Sequence, residues 1–283
     1  MDILQTIQQK YNDLSDKEKA IANYVLQNDS SLQNMNITSL SQVTGASTST
    51  ITRFCRKMGA ASSYVDMKMK INSISNQFEV KQDDYFDQIY YYYNKIIDRT
   101  NKSLDKELIY EAIKKIKTAK RIYIYGLGSS GFTAEELNLR FLKMGMTARC
   151  LTNTHLMLIG SRSLTEDDLV IAISSSGATD EIVETLDICK EQGAGIISIT
   201  SFADSYISEI SDISLVVFSS NFADEKKFVN TQFAIIYLLD IITTILMSGE
   251  EEYEKNYEEV DEMMTKRNRH DKHNIMSKSY NIK

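Results

Sequence analysis

Two apolar runs that each stop at a serine cluster constrain this chain more than any other feature. The first reads Ile122-Tyr123-Ile124-Tyr125-Gly126-Leu127-Gly128-Ser129-Ser130-Gly131. The second reads Leu169-Val170-Ile171-Ala172-Ile173-Ser174-Ser175-Ser176-Gly177-Ala178-Thr179. Each run is apolar and rich in β-branched or aromatic residues, the signature of a strand buried on both faces. Each Gly/Ser cluster opens a stretch with helical spacing, so the junctions are strand-to-helix turns. Backbone N–H groups and hydroxyls gathered at a helix N-terminus favour an anion there. Two such loops side by side in a parallel sheet would make a pocket for a phosphorylated, hydroxyl-rich small molecule.

The surrounding pattern fits that sheet. Strands are expected at 121–126, 148–153, 169–174, 195–200 and 213–218, with helices at about 130–144, 178–192, 204–210 and 227–248. Five strands alternating with helices imply a parallel sheet covered on both faces. Ahead of it lies a long helical region from Tyr85 to Lys120, broken near Ser103, and ahead of that a polar stretch suited to a linker. The chain therefore divides into an N-terminal domain (1–75), a linker (76–84), an α/β domain with its leading helix (85–250) and an acidic helix with a polar tail (251–283).

No apolar run approaches the ~18–20 uncharged residues that span a bilayer; Phe228 to Met247 comes nearest, but Asn230, Gln232 and Asp240 interrupt it. The N-terminus has no basic segment leading into an apolar one, so no signal peptide is expected and a cytoplasmic location follows. Cys55, Cys150 and Cys189 are scattered and odd in number, which suits reduced thiols rather than disulfides or a zinc site. No metal or cofactor is implied.

The net charge is −7, yet residues 51–70 carry Arg53, Arg56, Lys57, Lys68 and Lys70 against the single acid Asp66. A local positive patch is what a nucleic-acid groove needs. It falls in a helix–turn–helix spacing: a short helix through Leu40, a turn at Gly45, Ser47 as cap, and a second helix from Thr48 to Met58 ending at Gly59. Ile51, Phe54, Cys55 and Met58 share one face of that helix. Thr48, Ser49, Thr52, Arg53, Arg56 and Lys57 are left on the other, with Arg53 placed to reach guanine or a phosphate and Arg56 and Lys57 to reach phosphates. An ordinary helical hairpin with a solvated basic face has the same spacing. Upstream, Ser15 with Glu18 forms a capping-box pattern.

Three segments resemble the N-terminal domain of RpiR/MurR-type bacterial transcriptional regulators: Asp16 to Leu26, Met35 to Ser41, and Ser49 to Gly59. The C-terminal half resembles the sugar isomerase (SIS) domain that this family carries, and the match runs over about residues 1–248. The resemblance implies an all-α helix–turn–helix domain followed by an α/β SIS domain with a five-stranded, flavodoxin-like parallel sheet. It implies double-stranded operator DNA and a phosphorylated sugar effector as partners, a homodimer or dimer of dimers, and no membrane. The 85–118 helices and the 227–248 helix are the candidate interface elements. By resemblance Ser174, Ser176 and Thr179 hold the phosphate, Gly177 allows close approach, and Ser129 and Ser130 contribute from the first loop. His155 stands where related regulators often carry histidine. Two positions depart from the family pattern: Ala178, where a polar or charged residue is common, and Gln232, where many have arginine.

Two other readings compete. Gly126-Leu127-Gly128-Ser129-Ser130-Gly131 also satisfies GxGxxG, but a dinucleotide site wants a carboxylate after the next strand, and Leu151-Thr152-Asn153 supplies none. A phosphosugar isomerase needs a placed general base. Only His155 of the three histidines lies outside the polar tail, and Glu135, Glu136, Glu181 and Glu225 suit solvated or capping positions. No catalytic residue is therefore assigned.

Overall fold

The computed structural model describes residues 3–28, 32, 35–59, 63–75, 84–220 and 230–267. Residues 76–83 of the expected 76–84 linker, residues 227–229 of the expected 227–248 helix and the tail from residue 268 lie outside the described residues.

Among the described residues five helices build the N-terminal domain: α1 (Ile3–Gln9), α2 (Asp16–Gln27), α3 (Ile37–Thr44), α4 (Thr48–Lys57) and α5 (Tyr64–Ser75). Local chemistry sets their ends. The Ser15 backbone N–H and hydroxyl both donate to Glu18 ahead of α2. Asn36 caps α3 through the Ser39 N–H, and Gly45 takes φ 63°, the left-handed turn that ends α3. Ser47 caps α4 through the Thr50 N–H at 3.1 Å. Ile51, Phe54, Cys55 and Met58 are buried as their spacing requires, joining Ile7, Ile21, Val25 and Leu40 in one core. Each such side chain contributes ~1.5–3 kcal/mol on burial.

Two helices follow, α6 (Tyr85–Ser103) and α7 (Lys106–Thr118), with the break at Leu104 where Asp105 caps α7. Then come β1 (Arg121–Gly126), α8 (Ser129–Lys143), β2 (Ala148–Leu151), α9 (Thr154–Ser161), β3 (Asp168–Ile173), α10 (Asp180–Glu191), β4 (Gly195–Thr200), α11 (Tyr206–Ile210), β5 (Ile213–Val216), α12 (Phe233–Gly249) and α13 (Glu251–Arg267). All strand pairs are parallel, in the order β2-β1-β3-β4-β5. That is the flavodoxin-like order, which reverses direction between β1 and β3.

The period of two along each strand explains both cover layers. Ile122, Ile124, Leu169, Ile171 and Ile173 face the layer that holds Phe141, Leu239 and Ile242 from α8 and α12. Tyr123, Tyr125, Val170 and Ala172 face Met157, Ile182, Leu186 and Ile207 from α9, α10 and α11. No single described helix is long and apolar enough to cross a membrane.

Several elements differ from the sequence expectation: β5 ends at Val216 rather than 218, α12 starts at Phe233, and β2 and α9 depart further. β2 stops at Leu151 rather than 153, because Asn153 turns the chain and caps α9 through the Leu156 N–H at 3.2 Å. Helix α9 has no amphipathic period to announce it: Leu156 and Ile159 are exposed while Met157 is buried. Gly160 lets α9 lie close to β2: a Cβ there would stand 2.8 Å from Leu151 Cδ1, and that side chain would have to turn aside to admit it.

Candidate functional site

The reversal between β1 and β3 opens a crevice beyond their C-terminal ends, where ligands of such sheets bind. Its volume is about 290 Å³, at the small end of the ~300–1,000 Å³ common for small-molecule pockets. Ser129 and Ser130 enter from the first turn of α8, and Ser174, Ser175, Ser176 and Thr179 from the loop between β3 and α10. Phe202 closes the wall after β4, and Thr231 and Gln232 close it ahead of α12. Among the described residues the lining holds hydroxyls, an amide and apolar groups, with no ionisable side chain.

Glycines bring these loops together. A Cβ on Gly126 would lie 2.5 Å from the Ser130 carbonyl oxygen, so the strand end and the first turn of α8 meet backbone to backbone only because Gly126 has none. The second loop is wound on its own hydroxyls. Ser174 Oγ accepts the Gly177 N–H at 3.2 Å and lies 3.1 Å from Thr179 Oγ1, and Ser176 Oγ accepts the Ala178 N–H at 3.3 Å. Ser130 and Ser174 are buried, whereas Ser129 and Ser176 are open to solvent. The N-termini of α8 and α10 thus both end at the crevice, so unpaired N–H groups and two helix dipoles converge on it.

Not every residue singled out in the sequence lines the crevice. His155 lies exposed on α9 and takes no part in the wall. Gly177 is buried beneath the loop, at φ 64°, where its missing Cβ makes room for Ser205 and Thr200; its close approach is to protein. Sequence reasoning missed Ser175, Leu127, Phe202 and Thr231 as wall residues. Phe202 and Thr231 follow no motif, and only the sheet brings them to the serine loops. Gln232, noted in the sequence as a departure, is buried, and its Oε1 accepts the Thr133 hydroxyl at 3.0 Å.

The second candidate surface is α4. Thr48, Ser49, Arg53 and Arg56 are exposed on its outer side and Thr52 is half-buried, its hydroxyl donating to the Thr48 carbonyl at 2.9 Å. Lys57 is engaged within the domain: its ammonium donates to the Asp13 carbonyl at 2.9 Å and to Glu18 at 3.1 Å. Burial pushes the Glu18 carboxyl up, but hydrogen bonds from Ser15 and Lys57 prevail and hold it below the usual carboxylate range.

Residues 1–77 match the helix–turn–helix domain of the rpiR family, and residues 115–244 match the SIS domain. The chain belongs to the RpiR/MurR family of transcriptional regulators. Curated relatives of this architecture include an uncharacterised HTH-type transcriptional regulator of Clostridium perfringens, 29% identical over 86% of this chain and 91% of its own. Another, from Haemophilus influenzae, is 26% identical over 88% of this chain and 91% of its own. Among solved structures, the Vibrio vulnificus NanR protein complexed with ManNAc-6P shares the fold with a TM-score of 0.60, 24% identity, and coverage of 94% of this chain and 98% of its own. The sugar isomerase domain of an RpiR transcription factor from Sphaerobacter thermophilus gives a TM-score of 0.56 at 21% identity over 62% of this chain and 97% of its own. The chain thus has the two-domain architecture of an RpiR-type regulator, with the exposed basic helix α4 in the first domain and the hydroxyl-lined crevice in the second. Among the described residues no cluster of His, Cys, Asp and Glu could hold a metal ion.

Proposed function

We propose that this regulator binds operator DNA through α4 and takes a phosphorylated sugar in the crevice between β1 and β3. The observation that carries the reading is the convergence of two serine loops and two helix N-termini on an uncharged, hydroxyl-lined cavity. Neutral donors aimed at one point suit a phosphate; the remaining hydroxyls and the Gln232 amide suit sugar oxygens. The complex of Vibrio vulnificus NanR with ManNAc-6P makes amino-sugar phosphates a natural class to test.

A homodimer presents two α4 helices to a pseudo-palindromic site. On α6 the side chains of Tyr85, Phe86 and Tyr90 are 76%, 88% and 65% exposed, an apolar surface that supports pairing through this helix. Helix α12 serves that role less well, because Ile235, Leu238, Leu239 and Ile242 are buried against the sheet. A sugar phosphate with unequal affinity for two domain arrangements shifts their populations. Isomerase chemistry would need a general base within reach of the bound sugar, and the described lining offers none.

Thermal unfolding of the purified protein against phosphorylated sugars, amino-sugar phosphates and their unphosphorylated counterparts tests the pocket. Ligand at about 100 times Kd adds ~2.7 kcal/mol of stability. A stabilisation that needs the phosphate and disappears in Ser176→Ala/Thr179→Ala supports the reading; equal stabilisation of that double variant places the ligand elsewhere.

A further inference from the structure

Ser201 belongs to two contacts at once. Its backbone N–H donates to the Ser175 carbonyl at 3.1 Å, which ties the end of β4 to the serine loop of the crevice. Its carbonyl accepts from the side-chain amide of Gln8 on α1 at 2.8 Å. The same amide nitrogen donates to the Val217 carbonyl, also at 2.8 Å. Gln8 is buried, and the two N–H groups of its amide bridge the C-terminal ends of adjacent strands, which fixes its orientation. Beside it the Tyr11 ring packs on Phe202, with centroids 5.7 Å apart, and Asn12 donates to Asp204 at 3.2 Å. Phe202 is itself a wall of the crevice. A separate anchor holds the other side of the domain: the buried Lys95 ammonium donates to the Leu26 and Gln27 carbonyls at the C-terminus of α2, where the helix dipole favours a cation.

We propose that residues 201–204 form a docking surface for the chain's own DNA-binding domain, and that Gln8 is the positioning residue through which occupancy of the crevice reaches α1. The inference rests on the crevice being the effector site. The route is short and runs through two hydrogen bonds: serine loop, Ser175 carbonyl, Ser201 backbone, Gln8 amide, α1. A ligand that redraws the serine loop moves the Ser201 peptide relative to Val217, and the Gln8 amide bridges both carbonyls only in one relative placement. Loss of either bond leaves a buried polar group without its partner, so the docked arrangement is favoured or disfavoured as a unit. In the docked arrangement Arg53 and Arg56 stay exposed. Docking therefore sets the orientation of α4 relative to the SIS domain, and hence half-site geometry, without covering the reading face.

Amide hydrogen exchange on the full-length protein, with and without saturating inorganic phosphate, tests this. In the wild type, phosphate is expected to alter exchange in 126–131, 174–179 and 201–205, and in residues 3–11 by about fivefold or more, the low end of typical coupling between sites. In Gln8→Met, and in Asn12→Asp where two carboxylates face each other, the loops should respond as before and residues 3–11 should not. In Ser176→Ala/Thr179→Ala both responses should vanish. A persistent α1 response there would mean that phosphate acts at the basic face of α4, and the relay fails. Loops that respond while α1 stays silent in the wild type overturn the coupling and leave the crevice standing, as does an α1 response untouched by Gln8→Met and Asn12→Asp. Loops that never respond overturn the crevice reading and the relay with it.

Discussion

Gly177 and Ser205 share a space that admits only one of their side chains. A Cβ on Gly177 would stand 2.5 Å from Ser205 Cβ and 2.7 Å from Thr200 Oγ1, and Gly177 adopts φ 64°, which L side chains resist. Gly177→Ala therefore meets both strain and overlap. We expect it to lower stability by about 1–3 kcal/mol and to displace Ser176 and Thr179. Urea unfolding would read the first effect and phosphosugar affinity the second; wild-type values for both would show that the serine loop shifts without consequence.

Arg53 and Lys57 are both basic and lie on the same helix, yet their fates differ. Arg53 is exposed, whereas Lys57 is held by Glu18 and the Asp13 carbonyl. If Arg53 reads a base, Arg53→Ala loses ~1–3 kcal/mol of operator affinity and relaxes preference at one base pair, while ligand binding stays intact. Lys57→Ala is expected to lower thermal stability slightly, by up to ~1 kcal/mol for a partly exposed pair, with little change in the salt slope of DNA binding. Arg56→Ala should reduce that slope by about one counterion. Operator titrations at several salt concentrations separate the three.

Arg121 on β1 and Asp168 on β3 pair across the sheet, with Arg121 Nε 2.7 Å from Asp168 Oδ1 and its guanidinium also reaching Oδ2. The guanidinium, aided by the Thr165 N–H and hydroxyl, holds the Asp168 carboxyl below its usual range against a burial effect that raises it. A depressed folded value adds stability that is complete above the unfolded value of about 3.9 and is lost as pH falls through the folded one. Asp168→Asn should thus be less stable than the wild type at neutral pH, with the difference shrinking below about pH 4. A pH-independent difference in unfolding free energy would contradict the ionic origin.

Burial pushes the thiols of Cys55, Cys150 and Cys189 up to about 11. At pH 8 a thiol titrating there is thiolate in about one molecule per thousand. Native protein should react slowly with a disulfide reagent at all three positions, and unfolding should release three fast thiols. A fast-reacting cysteine in the native state would show that one of these sites opens.

Much of the architecture was legible in the chain because its signals are local. The unbroken apolar runs Ile122 to Tyr125 and Leu169 to Ile173 dictated strands buried on both faces, and Ser47 and Gly45 set helix ends within a few residues of themselves. The serine loops were legible for the same reason, and the structure brings Ser129, Ser130, Ser174, Ser176 and Thr179 to one crevice. Helix α9 escaped notice because its apolar residues follow no face. His155 and Gly177 carry residue types suited to a site, but type does not say which way a side chain turns once neighbouring elements compete for the space.

By itself the sequence determined the two domains, their order, the strand-to-helix junctions and the exposed basic face of α4, since each follows from periodicity, capping and turn chemistry over short spans. The tertiary structure alone decided that Phe202, Thr231 and Gln232 complete the crevice, that Lys57 is tied inward, and that Gln8 bridges Ser201 and Val217. The Gln8 and Val217 groups are 209 positions apart. No local preference relates residues at that distance; they meet because the buried faces of the sheet and of the small helical domain leave one way to pack together, and the polar groups caught between them must then find partners.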